Sequence, residues 1–265
     1  MNRVIPGVLL AVCWLVLLFV GTPFLFWCVG LVGSGVALFE FFRMTCPQVS
    51  GFRFILTLLA SLFPVACVAG GRLELLPVGL FSSLLFLVCL ALQGYGKLED
   101  GLHYLVFAGF AALYISGSLA HLVLIRHLPQ GEYWLLLFIA MIAGSDTGAY
   151  YAGKTFGRRK LFPLISPKKT VAGGIGGVAA GVIAAEGVNL LFPQPAHPLF
   201  LLLAAVVLIC IGICGDLTES LIKRSVGVKD SGTILQGHGG LLDRVDSLLL
   251  TGPALFYLIY FQWLQ

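Results

Sequence analysis

Residues 216–246 read DLTESLIKRSVGVKDSGTILQGHGGLLDRVD and lie between two long apolar runs. Nine of these 31 residues are Asp, Glu, Lys or Arg, whereas such residues make up 11% of the whole chain. Charged groups are costly to keep near hydrocarbon, so this clustering indicates a functional site. The stretch also decides the fold, because the apolar runs on either side have the length of membrane-spanning helices.

Several polar side chains of this stretch share one face of a predicted helix. The spacing i, i+3, i+4, i+7 is that of residues stacked on one helix face, and it relates Asp216, Glu219, Ser220 and Lys223. Asp243 and Asp246 repeat the i, i+3 spacing on the next predicted helix, after a glycine-rich turn at His238. Two neighbouring helices therefore present carboxylates to one place.

The carboxylates and bases of this stretch suit a phosphate-rich substrate. Asp216, Asp243 and Asp246 supply hard oxygen ligands for one or two Mg²⁺ ions that also hold substrate phosphates. Positive charge for the phosphates comes from Lys223, Arg224, Lys229 and Arg244. The simpler alternative is a solvated loop with ordinary helix-end charges, and the stacked spacing favours the site.

The composition predicts an integral membrane protein. The 265 residues are 59% hydrophobic and have a mean hydropathy of +1.00, which excludes an ordinary soluble domain. The seven cysteines form no C-x-x-C pair, so we interpret them as small buried hydrophobes and not as zinc ligands. We expect one membrane-embedded domain over 1–265, with few motifs in 1–132 and the catalytic half in 133–265.

The predicted fold is an all-α polytopic bundle of about nine transmembrane helices. The expected spans are 4–20, 24–42, 54–70, 75–92, 103–125, 133–151, 171–192, 199–215 and 248–263. With a cytoplasmic N-terminus, fourteen of the sixteen bases fall on the inner side, and only Arg72 and Arg126 fall outside. This orientation places 216–246 in the cytoplasm and, with a compact chain, favours a bacterial inner membrane.

Other polar positions lie near the same membrane face. Asp146 occupies the inner half of the sixth span, where an acid should face the bundle interior. Lys168 and Lys169 stand at the mouth of the seventh span and suit phosphate binding, whereas the bases from Lys154 to Lys160 suit either lipid headgroups or the site. Glu40 is predicted to pair with Arg43 on one helix face.

A ridge of small residues opens the seventh predicted span. Gly173, Gly177 and Gly181 recur every four residues, and Gly144 and Gly148 have the same spacing. Such ridges allow helices to pack closely in lipid. The ridge is typical of a packing surface, either within the chain or between the subunits of a homodimer.

Several of these motifs together resemble a known enzyme family. The segments GDLTES from Gly215, SLIKR, KDSG and HGGLLDRVD resemble the C-terminal signature of the phosphatidate cytidylyltransferases, also called CDP-diacylglycerol synthases. SDTGAY from Ser145 and SPKKT from Ser166 are similar to other motifs of that family and occur in its order. Two positions depart from the family pattern: Val171-Ala172 replaces a usual Trp-Glu, and Gln236 replaces a usual Pro.

The resemblance implies a reaction and a set of residues. In that family the phosphate of phosphatidic acid attacks the α-phosphorus of CTP, pyrophosphate leaves, and CDP-diacylglycerol forms. The implied catalytic residues are Asp216, Asp243, Asp246, Lys223 and His238, with the three aspartates holding Mg²⁺. The implied substrate-binding residues are Asp146, Lys168, Lys169, Thr170, Ser220, Arg224, Lys229, Asp230, Gly239, Gly240 and Arg244.

Three other functions compete with this interpretation. A CTP-dependent lipid kinase of the polyprenol type would use similar charges but would transfer the γ-phosphoryl group. A CDP-alcohol phosphotransferase would need a D-G-x-x-A-R motif, which the sequence lacks. A transporter would explain membrane-embedded acids, but it would be expected to show similarity between its halves. The expected partners are CTP, phosphatidic acid and membrane lipids, and no nucleic acid.

Overall fold

The structure, a computed structural model, describes residues 4–95, 100–232 and 239–264. Within these residues the chain forms mainly α-helices, with a π-helical segment at Ala112–Gly117 and two short strands. The helices are α1 (Val4–Phe19), α2 (Pro23–Thr45), α3 (Gly51–Ser61), α4 (Phe63–Cys67), α5 (Leu75–Gln93), α6 (Gly101–Ala111), α7 (Ser118–His127), α8 (Gly131–Phe156), α9 (Val171–Asn189), α10 (Pro198–Ser225) and α11 (Leu242–Tyr260). The strands are β1 (Lys160–Phe162) and β2 (Ser166–Thr170).

The helices confirm an all-α membrane protein. Six helical segments in the described residues are long and apolar enough to cross a membrane: Pro23–Thr45, Leu75–Gln93, Gly101–His127, Gly131–Phe156, Val171–Asn189 and Pro198–Ser225. Large apolar side chains such as Phe81, Leu92 and Ile183 remain mostly exposed on these helices, as expected for surfaces that face lipid. The count of nine spans stays a prediction.

The remaining predicted spans differ from the observed helices. The predicted span 54–70 is divided into α3 and α4, because Pro64 at the start of α4 has no N–H to continue the preceding helix. Helix α1 has 16 residues, fewer than the ~20 that a bilayer core requires. Helix α11 begins at Leu242, before the predicted membrane span 248–263, and its first two turns carry Asp243 and Asp246 as their spacing predicted.

The core consists of two apolar clusters. One cluster joins α7, α8 and α10 through side chains such as Val123, Phe138 and Leu208. The other joins α2 and α6 to the start of α11, through Phe41, Tyr104 and Leu242 among others. The second cluster therefore connects the N-terminal half, which carries few motifs, to the helix that carries Asp243 and Asp246.

A π-helical segment interrupts the span Gly101–His127 between α6 and α7. Such segments widen the helix by one residue per turn and often occur near functional sites. Here the segment contains Tyr114, which is buried and whose hydroxyl donates a hydrogen bond to the carbonyl oxygen of Gly215 at 3.2 Å. The helical segment Gly101–His127 thus contacts α10 immediately before Asp216.

Candidate functional site

A close packing of α8 against α9 forms one wall of the site. A Cβ atom at Gly148 would lie 2.5 Å from the Gly176 carbonyl oxygen, and one at Gly177 would lie 3.0 Å from the Ser145 carbonyl oxygen. Both helices therefore need glycine at their crossing. The predicted glycine ridge is a packing surface within the chain, so it gives no support to a homodimer, which stays a prediction.

A β-hairpin that the sequence analysis did not predict covers this pair of helices. Strands β1 and β2 are antiparallel, with Lys160 paired to Thr170. Thr170 caps α9, because its side chain accepts a hydrogen bond from the backbone N–H of Gly173 at 3.1 Å. The hairpin fixes Lys168 and Lys169 two residues and one residue before this cap, so their positions are set by backbone structure and not by a free loop.

The hairpin, α8, α9 and α10 enclose a cavity of about 420 Å³. Helix α8, the hairpin and α10 contribute the charged or phenolic side chains that line this cavity. They are Asp146, Tyr150, Lys154, Lys160, Lys168, Lys169 and Asp216. The Lys169 ammonium lies 2.5 Å from Asp216 Oδ2 and joins the hairpin to α10. The cavity combines four lysines with two carboxylates, an arrangement that can hold a polyphosphate together with a cation.

A second charged cluster lies where α10 meets the start of α11. The Lys223 ammonium is 2.5 Å from Asp243 Oδ1 and 3.1 Å from Glu219 Oε1. Lys223 and Glu219 are buried, and Glu219 also lies close to Asp243 and Asp246 of α11. A buried charge needs a partner, so Lys223 holds the two helices together in this structure, and its predicted role toward phosphate stays a prediction.

Asp243 is surrounded by hydrogen-bond donors. Its Oδ2 accepts backbone N–H groups of Ser231 at 3.1 Å and Gly240 at 2.9 Å, while Oδ1 contacts Lys223. Burial alone would raise the pKa of Asp243, but the hydrogen bonds from Lys223, Gly240 and Ser231 lower it to about 2. Asp243 is thus an ionised carboxylate that joins Ser231 and Gly240 to the start of α11 through hydrogen bonds.

Asp216 and Asp246 form an acidic pair between α10 and α11. A Cβ atom at Gly215 would lie 2.6 Å from the Asp246 carbonyl oxygen, so the two backbones touch at this point. Burial and then the nearby charge of Asp216 raise the pKa of Asp246, although its carboxylate accepts a hydrogen bond from Ser247 N–H at 2.6 Å. Crowded carboxylates of this kind are stabilised by a cation.

The carboxylates differ in how well they fit a Mg²⁺ ion. Asp216 and Asp246 are oxygen donors with unfavourable mutual charge, which suits a divalent cation. The Asp243 oxygens already accept three donors. In the part of the chain that the structure describes, no three Asp, Glu, His or Cys side chains are arranged to hold a metal ion. The chemistry of Asp216 and Asp246 therefore fits the ion, and the three-aspartate ligand set stays a prediction.

The other predicted residues lie around these two clusters. Ser220 donates a hydrogen bond to Asp216 Oδ1 at 3.4 Å, and Arg224 donates one to the Val228 carbonyl oxygen at 3.2 Å. Lys229 and Asp230 are exposed in the loop after α10, and Arg244 is exposed in the first turn of α11. Gly239 has a φ of 81°, a conformation that favours glycine. His238 and Gln236 lie outside the described residues.

Four residues with clear contacts are missing from the predicted site. Lys154, Lys160 and Tyr150 line the cavity, and Tyr114 contacts the backbone beside Asp216. The two lysines were visible as charges in the sequence, but only the structure shows that Lys154, near the end of α8, and Lys160, on β1, face the cavity. Tyr114 lies in an apolar run, and no sequence signal distinguishes it from a core aromatic residue.

Comparisons with known proteins show the family of the chain. The sequence profile of the cytidylyltransferase family matches residues 1–262. The chain belongs to the cytidylyltransferase family. It is 37% identical to the phosphatidate cytidylyltransferase of Bacillus subtilis over 265 residues, or 97% of each chain.

Two further bacterial relatives match shorter parts of the chain. The Escherichia coli protein named YnbB is 38% identical over 218 residues, 77% of this chain and 73% of its own. The phosphatidate cytidylyltransferase of Pseudomonas aeruginosa is 39% identical over 153 residues, 57% of this chain and 56% of its own. The resemblance to the phosphatidate cytidylyltransferases that the motifs predicted is therefore confirmed.

Proposed function

We propose that this protein is a phosphatidate cytidylyltransferase, an enzyme that forms CDP-diacylglycerol and pyrophosphate from CTP and phosphatidic acid in phospholipid biosynthesis. The observation that carries the proposal is the contact between Lys169 and Asp216, which joins a basic hairpin to an acidic helix across one cavity. The identity to the Bacillus subtilis enzyme over 97% of both chains supports the same activity.

The reaction requires two anions to meet. A phosphate oxygen of phosphatidic acid attacks the α-phosphorus of CTP, the bond from that phosphorus to the β-phosphate oxygen breaks, and the electron pair leaves with pyrophosphate. The attacking phosphate is already ionised at neutral pH, so the step needs no general base. The protein contributes positioning and neutralisation of charge.

The lysines of the cavity supply this neutralisation. Lys168 and Lys169 on β2 would bind CTP phosphates, together with Lys160 on the paired strand β1 and Lys154 near the end of α8. Asp146 would orient the nucleotide or complete a cation site from α8. Arg224, Lys229 and Arg244, near the ends of α10 and α11, would contact the lipid phosphate or the leaving pyrophosphate.

Asp216 and Asp246 would hold a Mg²⁺ ion in this reaction. When bound, the ion neutralises phosphate oxygens and orients the leaving group. Asp243 keeps the start of α11 in place beside these two residues through its hydrogen bonds to Ser231 and Gly240. The three aspartates would then act together, with Asp216 and Asp246 as ligands of the ion and Asp243 as the residue that positions the start of α11.

We also propose nine spans with the N-terminus and the cavity on the cytoplasmic side of a bacterial inner membrane. The distribution of fourteen bases against two supports this orientation, and CTP is a soluble nucleotide that reaches the protein from the cytoplasm. The bacterial origin of the relatives supports the compartment.

The test uses purified protein in detergent with phosphatidic acid, Mg²⁺ and CTP labelled separately at the α- and γ-phosphates. The α-label should appear in the lipid, and the γ-label should leave as pyrophosphate. The γ-label in the lipid would indicate a lipid kinase instead. If folded protein transferred neither label, the proposed activity would be wrong.

A further inference from the structure

Glu40 is a buried carboxylate in the half of the chain that carries few motifs. It lies on α2 with 2% of its surface exposed. The sequence analysis predicted a pair with Arg43, but the guanidinium of Arg43 lies over the ring of Phe39, 5.3 Å from its centroid. Among the described ion pairs, none joins Glu40 to Arg43. The carboxylate of Glu40 contacts the beginning of α11 instead.

Three hydrogen bonds join Glu40 to the segment around the start of α11. Its Oε1 accepts the backbone N–H of Leu241 at 3.0 Å, and its Oε2 accepts that of Leu242 at 2.9 Å. The hydroxyl of Ser231 also donates to Oε2 at 3.3 Å. The first N–H groups of a helix have no partner within it, and Leu241 provides no side-chain cap. Glu40 therefore caps α11 from another helix, where a negative charge is favourable.

Two glycines leave the space that this carboxylate occupies. A Cβ atom at Gly240 would lie 2.5 Å from Glu40 Oε2, and one at Gly232 would lie 2.6 Å from Oε1. Either side chain would displace the carboxylate from its donors. The turn before α11 therefore needs glycine at position 240 for the approach of Glu40.

Glu40 and Asp243 both contact Ser231 and Gly240, the two residues that lie beside the start of α11. Ser231 uses its hydroxyl for Glu40 and its backbone N–H for Asp243, and Gly240 lies against Glu40 while its N–H binds Asp243. Asp243 in turn contacts Lys223 of α10. A displacement of the start of α11 would therefore move Asp243 and also Asp246, which lies one helical turn further along.

We propose that Glu40 is a positioning residue of the active site: it fixes the start of α11, and with it Asp243 and Asp246, relative to α10. This inference rests on the proposed function, because the position of Asp246 matters for nucleotidyl transfer. It assigns the N-terminal half of the chain a direct part in building the site.

The first test compares Glu40→Gln with Ser34→Ala. The amide of Gln accepts with one oxygen only and points an N–H₂ group toward donors, so kcat for nucleotidyl transfer should fall at least about tenfold, which corresponds to about 1.4 kcal/mol. The KM for phosphatidic acid should stay within about twofold, since no described residue of α2 lines the cavity that holds Lys169 and Asp216. Ser34 is buried in the same helix, and among the described residues its hydroxyl bonds the Gly30 carbonyl oxygen alone, so its variant should keep wild-type kcat.

A second comparison separates positioning from general destabilisation. Ser231→Ala removes one of the three donors to Glu40 and keeps the backbone N–H for Asp243, so its kcat should fall less than that of Glu40→Gln. The double variant should be no slower than Glu40→Gln alone, because both changes break one unit. Additive losses of kcat, or equal losses in Ser34→Ala at a matched melting temperature, would overturn the inference.

A third measurement does not depend on activity. Lys229 is exposed two residues before Ser231. The rate of trypsin cleavage after Lys229 therefore reports how firmly Ser231 is bound by Glu40 and Asp243. Cleavage should be several-fold faster in Glu40→Gln than in the wild type, and unchanged in Ser34→Ala. An unchanged rate in Glu40→Gln would contradict the inference, whereas absence of nucleotidyl transfer in the wild type would contradict only the proposed function.

Discussion

The ammonium of Lys169 lies 2.5 Å from Oδ2 of Asp216, and this contact joins the hairpin to α10. Both side chains remain about one quarter exposed, and both line the same cavity. The pair is therefore accessible to an incoming ligand, unlike the buried contact of Lys223 with Glu219 and Asp243. An anionic phosphate can bind Lys169 while a cation binds Asp216, so each ligand would replace one partner of this ion pair.

Replacement of Lys169 should abolish most of the activity. Lys169→Met keeps an apolar stem but removes the charge, and we expect kcat/KM for CTP to fall by about 100-fold, the usual effect of losing a group that stabilises developing negative charge. Lys169→Arg should restore part of the rate. The measurement is transfer of α-labelled CTP to lipid at varied CTP concentration.

A matched control for Lys169 is Arg72→Met. Arg72 is 69% exposed and contacts only Glu74 among the described ion pairs, and it belongs to the two bases predicted to face the other side of the membrane. Its variant should keep wild-type kcat/KM. A Lys169→Met enzyme with wild-type kcat/KM would exclude this lysine from the cavity chemistry.

Gly148→Ala should destabilise the packing of α8 against α9. The added methyl group would lie 2.5 Å from the carbonyl oxygen of Gly176, and overpacking of this kind costs about 1–3 kcal/mol. We expect a lower melting temperature in detergent, measured by tryptophan fluorescence. Gly187→Ala in α9 is the control, since no described heavy atom lies within 4 Å of its Cβ position, and it should leave the melting temperature unchanged or raised.

Tyr114→Phe should lower activity without a large change in stability. The variant loses the hydrogen bond from the hydroxyl to the Gly215 carbonyl oxygen, a loss of about 1 kcal/mol. If the hydrogen bond serves to position Asp216, the loss of about 1 kcal/mol would lower kcat about fivefold. Tyr104→Phe is the matched control, because its buried hydroxyl pairs with Thr57 on α3, away from the cavity. Equal kcat values in the two variants would contradict a role for Tyr114 in the site.

The sequence predicted the helical positions of the three aspartates better than the contacts that surround them. Asp216, Asp243 and Asp246 were visible because helical spacing in a charged segment constrains their positions directly. Glu40 was misassigned, because its partners are backbone N–H groups about 200 residues away in sequence, and no local pattern reports such a contact. Pro64 could have predicted the break between α3 and α4, but hydropathy averaged over a window conceals it.

The hairpin was missed for a different physical reason. Its strands have three and five residues and carry three lysines and one proline, so they show no alternating apolar pattern. Lys160 and Thr170 pair because α8 and α9 pack in antiparallel fashion and bring the ends of the connection together. Tertiary packing, and not local propensity, forms this element.

The response to Mg²⁺ should distinguish Asp216 and Asp246 from Asp243. If the first two hold the ion, Asp216→Asn and Asp246→Asn should each raise the Mg²⁺ concentration for half-maximal activity by about tenfold or more. Asp243 already accepts bonds from Lys223, Ser231 and Gly240. Asp243→Asn should therefore lower the melting temperature and kcat, yet leave the half-maximal Mg²⁺ concentration nearly unchanged. A rise in that concentration comparable to the rise in Asp216→Asn would instead return Asp243 to the ligand set, and would mean that Lys223 releases it when the ion binds.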